Sequence, residues 1–359
     1  DYSVSTSKHN SSTSNPVKSD STYMAEALEL AAKGRYTSTP NPRVGCVIVA
    51  HMGTPKESVV GRGWHRRAGE AHAEIMALQS AGVEAKGATV YVTLEPCCVT
   101  GQTGPCTDAL IAAGVKRVVY AMPDPNPEID GRGEAVLQAA GIETCAGVLA
   151  DRAALLNKGF IKRMQQGRPW VVAKTATSLD GRSAMSSGES KWITGEASRQ
   201  QVQHLRAASC AILTSVATVA IDKPSLNVRE SEIGCDIERQ PALVVVDSQL
   251  QTPADSSIFA VENRRVVIVT THPTADASAS QRAIEDLQSA GAEIWSVASD
   301  NSGRVCVASL LELLAEHAVN EVLLESGPTL LGSFLQQGLI DELIAFIAPK
   351  MMGSDARPL

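Results

Sequence analysis

His72-Ala73-Glu74, Pro96-Cys97 and Cys106 place three soft metal donors beside one carboxylate. A zinc ion held by three protein ligands keeps a fourth position for water and lowers the pKa of that water from about 15.7 to about 7. A base must then move protons. Glu74 stands two residues beyond His72, so within one helical turn its carboxylate reaches the site while the imidazole holds the metal. H-x-E followed by P-C-x-x-C is the signature of zinc nucleobase deaminases, and the chemistry it implies is hydrolytic deamination. Here eight residues, rather than two, separate Cys97 from Cys106.

Elements that could hold these groups are legible around them. Residues 89–93, Thr-Val-Tyr-Val-Thr, are rich in β-branched types and read as a strand, with Pro96 placed for a turn or helix start. Cys106 opens a helical pattern closed by Gly114, and a thiolate at a helix N-terminus is favoured by the backbone dipole. Cys98 adjoins Cys97 and could compete as a ligand, but adjacent residues usually point apart, so Cys97 and Cys106 are the expected thiolate ligands. Cys46, Cys145, Cys210, Cys235 and Cys306 are expected to be structural.

Composition narrows the class. The 359 residues suffice for two domains, and 44% hydrophobic content supports two cores. A net charge of -7 leaves no electrostatic footprint for nucleic acid or an anionic membrane. Eight cysteines in so long a chain do not form a disulfide scaffold, which with the absence of a signal peptide or membrane span predicts a cytoplasmic protein. Residues 1–20, dense in Ser, Thr and Asn, read as a disordered extension.

Apolar spacing at Met24, Ala27, Leu28 and Ala31 predicts a first helix from about Thr22. A buried strand at residues 44–49, a helix carrying His72 and Glu74, and strands near Thr89 and Val118 make residues 21–166 an α/β domain. Residues 167–359 form a second α/β domain, with strands near 170–174, 211–213, 242–246, 266–269 and 321–324. After the last of these, residues 325–333 turn into an apolar helix whose free N–H groups suit an anion or simply make a glycine turn. No G-x-G-x-x-G follows a strand.

The run Thr39-Pro40-Asn41-Pro42-Arg43-Val44-Gly45-Cys46, then His72-Ala73-Glu74, Thr93-Leu94-Glu95-Pro96-Cys97, Ser178-Leu179-Asp180-Gly181-Arg182, Ser187-Gly188-Glu189-Ser190 and Gly353-Ser354-Asp355-Ala356-Arg357 resembles the bifunctional riboflavin biosynthesis deaminase/reductases. The resemblance spans nearly the whole chain after residue 20. It implies a cytidine-deaminase-like three-layer domain with one zinc, followed by a dihydrofolate-reductase-like α/β domain using NADPH. The implied substrate is 2,5-diamino-6-(5-phosphoribosylamino)pyrimidin-4-one, deaminated and then reduced from ribosylamino to ribitylamino. The implied metal ligands are His72, Cys97 and Cys106, with Glu74 as proton carrier.

Carried over by position, Ala176, Trp192, Thr218, Asp222, Ser248 and the turn Gly327, Pro328, Thr329, Leu330, Leu331, Gly332 and Ser333 are the implied NADPH contacts. Asn41, His65, Ser190, Arg206, Leu226, Arg229 and Glu325 are the implied substrate contacts, and guanidinium forks suit a substrate phosphate. Lys174 and Asp222 are both candidates for proton transfer in the reduction. Cys98-Val99-Thr100 stands where the family usually has a Ser-His pair, and the family continues beyond the equivalent of Leu359, so an open sheet edge is expected. A homodimer is implied as well. The rival readings are a deaminase of simple nucleosides, an interaction module with a structural zinc, and a deaminase whose reductase half is inactive.

Overall fold

A computed structural model describes residues 19–101, 104–186, 194–235, 237–271 and 277–358. By contacts the chain divides into two units: Asp1–Gly34 with Arg43–Leu156, and Arg35–Pro42 with Asn157–Leu359.

In the first unit the elements run α1 (Asp20–Ala32), β1 (Gly45–Ala50), β2 (Ser58–Trp64), α2 (Ala73–Ala81), β3 (Thr89–Val92), α3 (Cys106–Ala113), β4 (Arg117–Tyr120), α4 (Arg132–Ala139), β5 (Glu143–Ala146) and α5 (Ala150–Leu156). Among the described residues they build one sheet in the order β2-β1-β3-β4-β5. The β1 pairings are antiparallel, while β3, β4 and β5 run parallel. Alternation sorts the strand side chains to two faces. Cys46, Ile48, Val90, Val92 and Val118 pack under Ala73 and Ala77 of α2, Leu110 of α3 and Leu137 of α4. Val47, Val49, Tyr91 and Val119 pack against Tyr23, Met24, Ala27 and Leu28 of α1 and Ala153 of α5. The unit is therefore the expected three-layer α/β/α sandwich.

Two features depart from the sequence reading. The first helix starts at Asp20, inside the segment read as disordered, because the Asp20 carboxylate takes both Arg117 Nη atoms at 2.9 Å and the Tyr91 hydroxyl at 2.7 Å. Residues 1–18 of the expected extension lie outside the described residues. The second departure is β2, whose Gly61 and Gly63 hide its strand character. A Cβ on Gly63 would lie 2.3 Å from the Ala73 carbonyl oxygen, and one on Gly61 would lie 2.3 Å from that of Ala77. The glycines let α2 lie directly on the strand backbone.

The second unit contains α6 (Lys158–Gln166), β6 (Trp170–Ser178), β7 (Arg182–Ala184), α7 (Glu196–Ala208), β8 (Ala211–Ser215), α8 (Val216–Asp222), α9 (Glu230–Ile233), β9 (Ala242–Val246), β10 (Val266–Thr271), α10 (Ala277–Ser289), β11 (Ala292–Val297), α11 (Val307–Glu316), β12 (Glu321–Leu324), α12 (Pro328–Gln336), β13 (Glu342–Ala348) and β14 (Arg357–Pro358). Among the described residues, a parallel sheet runs β11-β10-β9-β8-β12-β6-β13, and β7 pairs with β14 in a small ribbon. Leu310, Leu311 and Leu314 of α11 and Leu330 and Phe334 of α12 cover one face. Val219 of α8 and Leu287 of α10 cover the other. Helices on both faces are what buried parallel strands require.

The division between units falls at Asn157, upstream of the edge expected at Gly167. Helix α6 goes with the second unit because its polar face is claimed there: Lys158 pairs with Glu342, Lys162 with Asp341, and Arg163 Nε donates to Asn320 at 2.6 Å. At the edge of the sheet, β13 leaves Leu343 and Ile347 58% and 61% exposed.

Candidate active site

His72 occupies the N-cap position of α2 in an extended backbone conformation, and its side chain makes no cap bond. Cys106 starts α3 on the same face of the sheet, and Cys97 lies in the turn after β3. The His72 Nδ1 atom is 3.2 Å from Cys106 Sγ and 3.5 Å from Cys97 Sγ. All three donor atoms lie within 4.8 Å of one another. The Cys106 backbone N–H points at Cys97 Sγ at 3.4 Å, and the Thr107 N–H donates to the Cys97 carbonyl at 3.2 Å. The turn is thus seated on the N-terminus of α3.

The donor set fits zinc. The Cys106 thiol donates to Cys97 and the His72 ring supports it, which pulls Cys97 down to about 4 and pushes Cys106 up. Two thiols sharing a proton beside an imidazole are a soft donor set, and a divalent cation bound there would displace that proton. Glu74, in the first turn of α2, is 4% exposed, and burial followed by the Cys97 thiolate raises its carboxyl to about 7. His65 joins this group: its ring meets that of His72 edge-on at 5.3 Å, and its Nδ1 faces the Ala71 carbonyl at 3.2 Å. Burial lowers its pKa. Asn41 falls in the other unit, in a turn where its N–H donates to the Ser38 carbonyl.

The second unit gathers several of its predicted residues. Arg206 holds Glu325 by Nε at 2.6 Å and Nη2 at 3.0 Å, and its Nη1 donates to the carbonyl of Asn227, next to Leu226. Lys174 Nζ is 3.9 Å from the same carboxylate. Arg229 starts α9, with its N–H on Gln203 Oε1 and its guanidinium on Glu232. The Gly327 N–H donates to Thr218 Oγ1 at 3.3 Å, which joins the start of α8 to the start of α12. Helix α12 begins with Pro328 and has no side-chain cap. Thr329, Leu331, Gly332 and Ser333 follow in that helix, while Leu330 is buried in the core.

Ser248 Oγ accepts from the Val305 N–H at 3.0 Å, and the Ser248 carbonyl accepts the Thr270 and Thr271 hydroxyls. Asp222 ends α8 and Ala176 lies on β6 opposite Phe346. Ser190 and Trp192 lie outside the described residues. Two groups escaped sequence reasoning. Asp180 accepts the N–H groups of Met352 and Gly353 at 3.1 and 2.9 Å, which sews the Ser178–Arg182 turn to the Gly353–Arg357 segment. Glu95 is buried, and only its place before Pro96-Cys97 hinted at a role.

Residues 169–359 match the RibD C-terminal domain, and residues 17–122 match the cytidine and deoxycytidylate deaminase zinc-binding region. The riboflavin biosynthesis protein RibD of Escherichia coli (strain K12) is 47% identical over 95% of this chain and 90% of its own length. The chain belongs to the RibD family. Another RibD, from Haemophilus influenzae, is 44% identical over 95% of this chain and 88% of its own. The solved RibD of Acinetobacter baumannii is 43% identical, with a TM-score of 0.83, covering 94% of this chain and 89% of that one. A diaminohydroxyphosphoribosylaminopyrimidine deaminase/5-amino-6-(5-phosphoribosylamino)uracil reductase from Thermotoga maritima is 34% identical, with a TM-score of 0.78 and the same coverage. As a RibD, the chain is a bifunctional enzyme of riboflavin biosynthesis, a zinc-binding deaminase joined to an NADPH-dependent reductase. Among the described residues of this RibD, no helix is long and apolar enough to cross a membrane.

Proposed function

We propose that His72, Cys97 and Cys106 hold one zinc ion per chain and that Glu74 carries protons in the hydrolytic deamination of 2,5-diamino-6-(5-phosphoribosylamino)pyrimidin-4-one. The observation that carries this reading is the convergence of the three donor atoms with Glu74 buried two residues from His72. A zinc ion held by these three residues would supply a water acidified toward neutral pH. The Glu74 carboxylate takes a proton from the attacking water and returns one to the departing amine. His65 offers an imidazole to fix the pyrimidine, and the resemblance alone carries Asn41 as an amide contact.

In the reductase half, bound NADPH would supply the hydride needed at the opened ribose carbon. Ala176, Trp192, Thr218, Asp222, Ser248 and Gly327 to Ser333 hold the cofactor, and Ser190, Arg206, Leu226, Arg229 and Glu325 hold the substrate. The Arg206–Glu325 pair beside Leu226 and the Thr218–Gly327 bond support these two groupings. Lys174, which faces Glu325, is the proton source for the reduction in preference to Asp222. The resemblance further carries a homodimer, a cytoplasmic location and small-molecule rather than nucleic-acid recognition, the last in keeping with a net charge of -7.

The test is incubation with the diaminopyrimidine ribotide and NADPH, following ammonia and the NADPH absorbance band. Glu74→Ala should abolish ammonia release, and NADPH consumption should return when deaminated substrate is supplied. Ammonia release by Glu74→Ala at the normal rate would remove Glu74 from the mechanism.

A further inference from the structure

Glu95 is 2% exposed, so its carboxylate sits away from water. Its oxygens are occupied by backbone. Oε1 accepts from the Glu134 N–H at 3.1 Å, and Oε2 accepts from the Gly131 N–H at 3.0 Å and the Asp124 N–H at 3.3 Å. Gly131 is the N-cap position of α4 and has no side chain to cap it. Glu95 therefore caps α4 from a distance of 36 residues, where helix N–H groups and the helix dipole both favour a carboxylate. The contact is close on the backbone side as well: a Cβ on Gly133 would lie 2.1 Å from the Pro96 carbonyl oxygen and 3.1 Å from Glu95 Oε1. The Glu95 N–H is fixed on the Met122 carbonyl at 3.0 Å.

Two residues later, Cys97 is pinned from the other side by α3, through its carbonyl and its sulfur. The turn Glu95-Pro96-Cys97 is thus strung between two helix N-termini. We infer that Glu95 is a positioning residue for the metal: its carboxylate anchors the turn on α4 and thereby sets where the Cys97 thiolate stands relative to His72 and Cys106. The inference rests on the reading of Cys97 as a zinc ligand. Neighbours that orient metal ligands are worth roughly 10–100-fold in metal affinity. A Gln at position 95 keeps the size but offers one acceptor oxygen, and its NH₂ group would face a backbone N–H.

The experiment measures zinc affinity of the full chain by competition with a chromophoric chelator, and the cobalt(II) thiolate charge-transfer and d–d bands, for wild type, Glu95→Gln, Glu95→Asp, Cys97→Ser and Tyr120→Phe. Tyr120→Phe removes the 2.8 Å bond from Tyr120 to the Glu134 carboxylate, loosening α4 while keeping the backbone N–H groups that Glu95 accepts. We expect Glu95→Gln to weaken zinc at least tenfold and shift the cobalt bands. Glu95→Asp should fall between Gln and wild type, and Tyr120→Phe should match wild type in both readouts. Thermal unfolding of the metal-free proteins shows which variants fold, and Glu95→Asp serves in place of Glu95→Gln if the latter does not. Wild-type affinity and bands in the position-95 variants, or equal losses in Glu95→Gln and Tyr120→Phe, would overturn the inference while leaving the zinc reading intact. Unchanged cobalt bands in Cys97→Ser would instead overturn the assignment of Cys97 as a ligand.

Discussion

Arg206 and Glu325 meet fork to fork, two hydrogen bonds of 2.6 and 3.0 Å between side chains 13% and 7% exposed. Burial pushes the Glu325 carboxyl up, but the Arg206 and Lys174 cations outweigh it and hold the group below the usual carboxylate range. Removing one partner strands the other charge away from water, at a cost of about 3–5 kcal/mol. Glu325→Ala should therefore lower the urea midpoint of the second unit and cut NADPH consumption at least tenfold. Ammonia release should stay at the wild-type rate. Normal NADPH consumption would exclude Glu325 from the reductase site.

Metal removal should separate the two activities. Stripping zinc with a chelator is expected to stop ammonia release and lower the unfolding temperature, since a ligand bound only to the folded state stabilises by mass action. NADPH consumption with the deaminated ribotide should continue unchanged. Restored zinc should restore ammonia release, and a chelated protein that still released ammonia would count against a catalytic metal.

Gly63→Ala tests whether the approach of α2 to β2 sets the site. The added methyl would press on the Ala73 carbonyl oxygen at 2.3 Å and the Ala77 nitrogen at 2.6 Å, both backbone atoms. Overpacking of this kind costs about 1–3 kcal/mol, and here the strain falls between His72 and Glu74. Ammonia release should drop more than tenfold while the reductase is untouched. A fully active deaminase would show that α2 can shift without disturbing its ligands.

Acid should release the start of α1. The Arg117 guanidinium, by hydrogen bond first, holds the Asp20 carboxyl below its ordinary value. A lowered folded pKa contributes stability above the unfolded value of about 3.9, and that contribution fades as pH falls through the folded pKa. Both side chains are partly exposed, so the pair is worth about 0–1 kcal/mol. Asp20→Asn should lower the unfolding temperature slightly at pH 7. The difference from wild type should close as pH drops below 3.9 and through the folded pKa. A gap that widened in acid would contradict the assignment.

The clustering of His72, Cys97 and Cys106 was legible because strand, turn and helix start each leave local marks, and because His, Glu and Cys are uncommon together by chance. What stayed hidden depends on partners distant in sequence. Asp20 looks like the end of a polar tail until Arg117, 97 residues on, is seen to hold it. Gly167 reads as a boundary, yet the face of α6 before it is claimed by Asp341 and Glu342. The glycines of β2 suggest a loop, and only the proximity of α2 explains them. Glu95 could not be recognised as a cap, since the helix it caps begins beyond Asp124 and Gly131.

The strand order of the second unit bears on how the chain is made. Strand β6 lies between β12 and β13, so its hydrogen-bonding edges stay open until residues 321–348 exist. Synthesis at about 5–20 residues per second delays the first of those neighbours by roughly 7–30 s after β6 itself. The elements of the first unit are complete by Leu156. On the ribosome the zinc half can close while the sheet of the other half waits with two edges unpaired, and the interval between them is a window for chaperone capture rather than for catalysis.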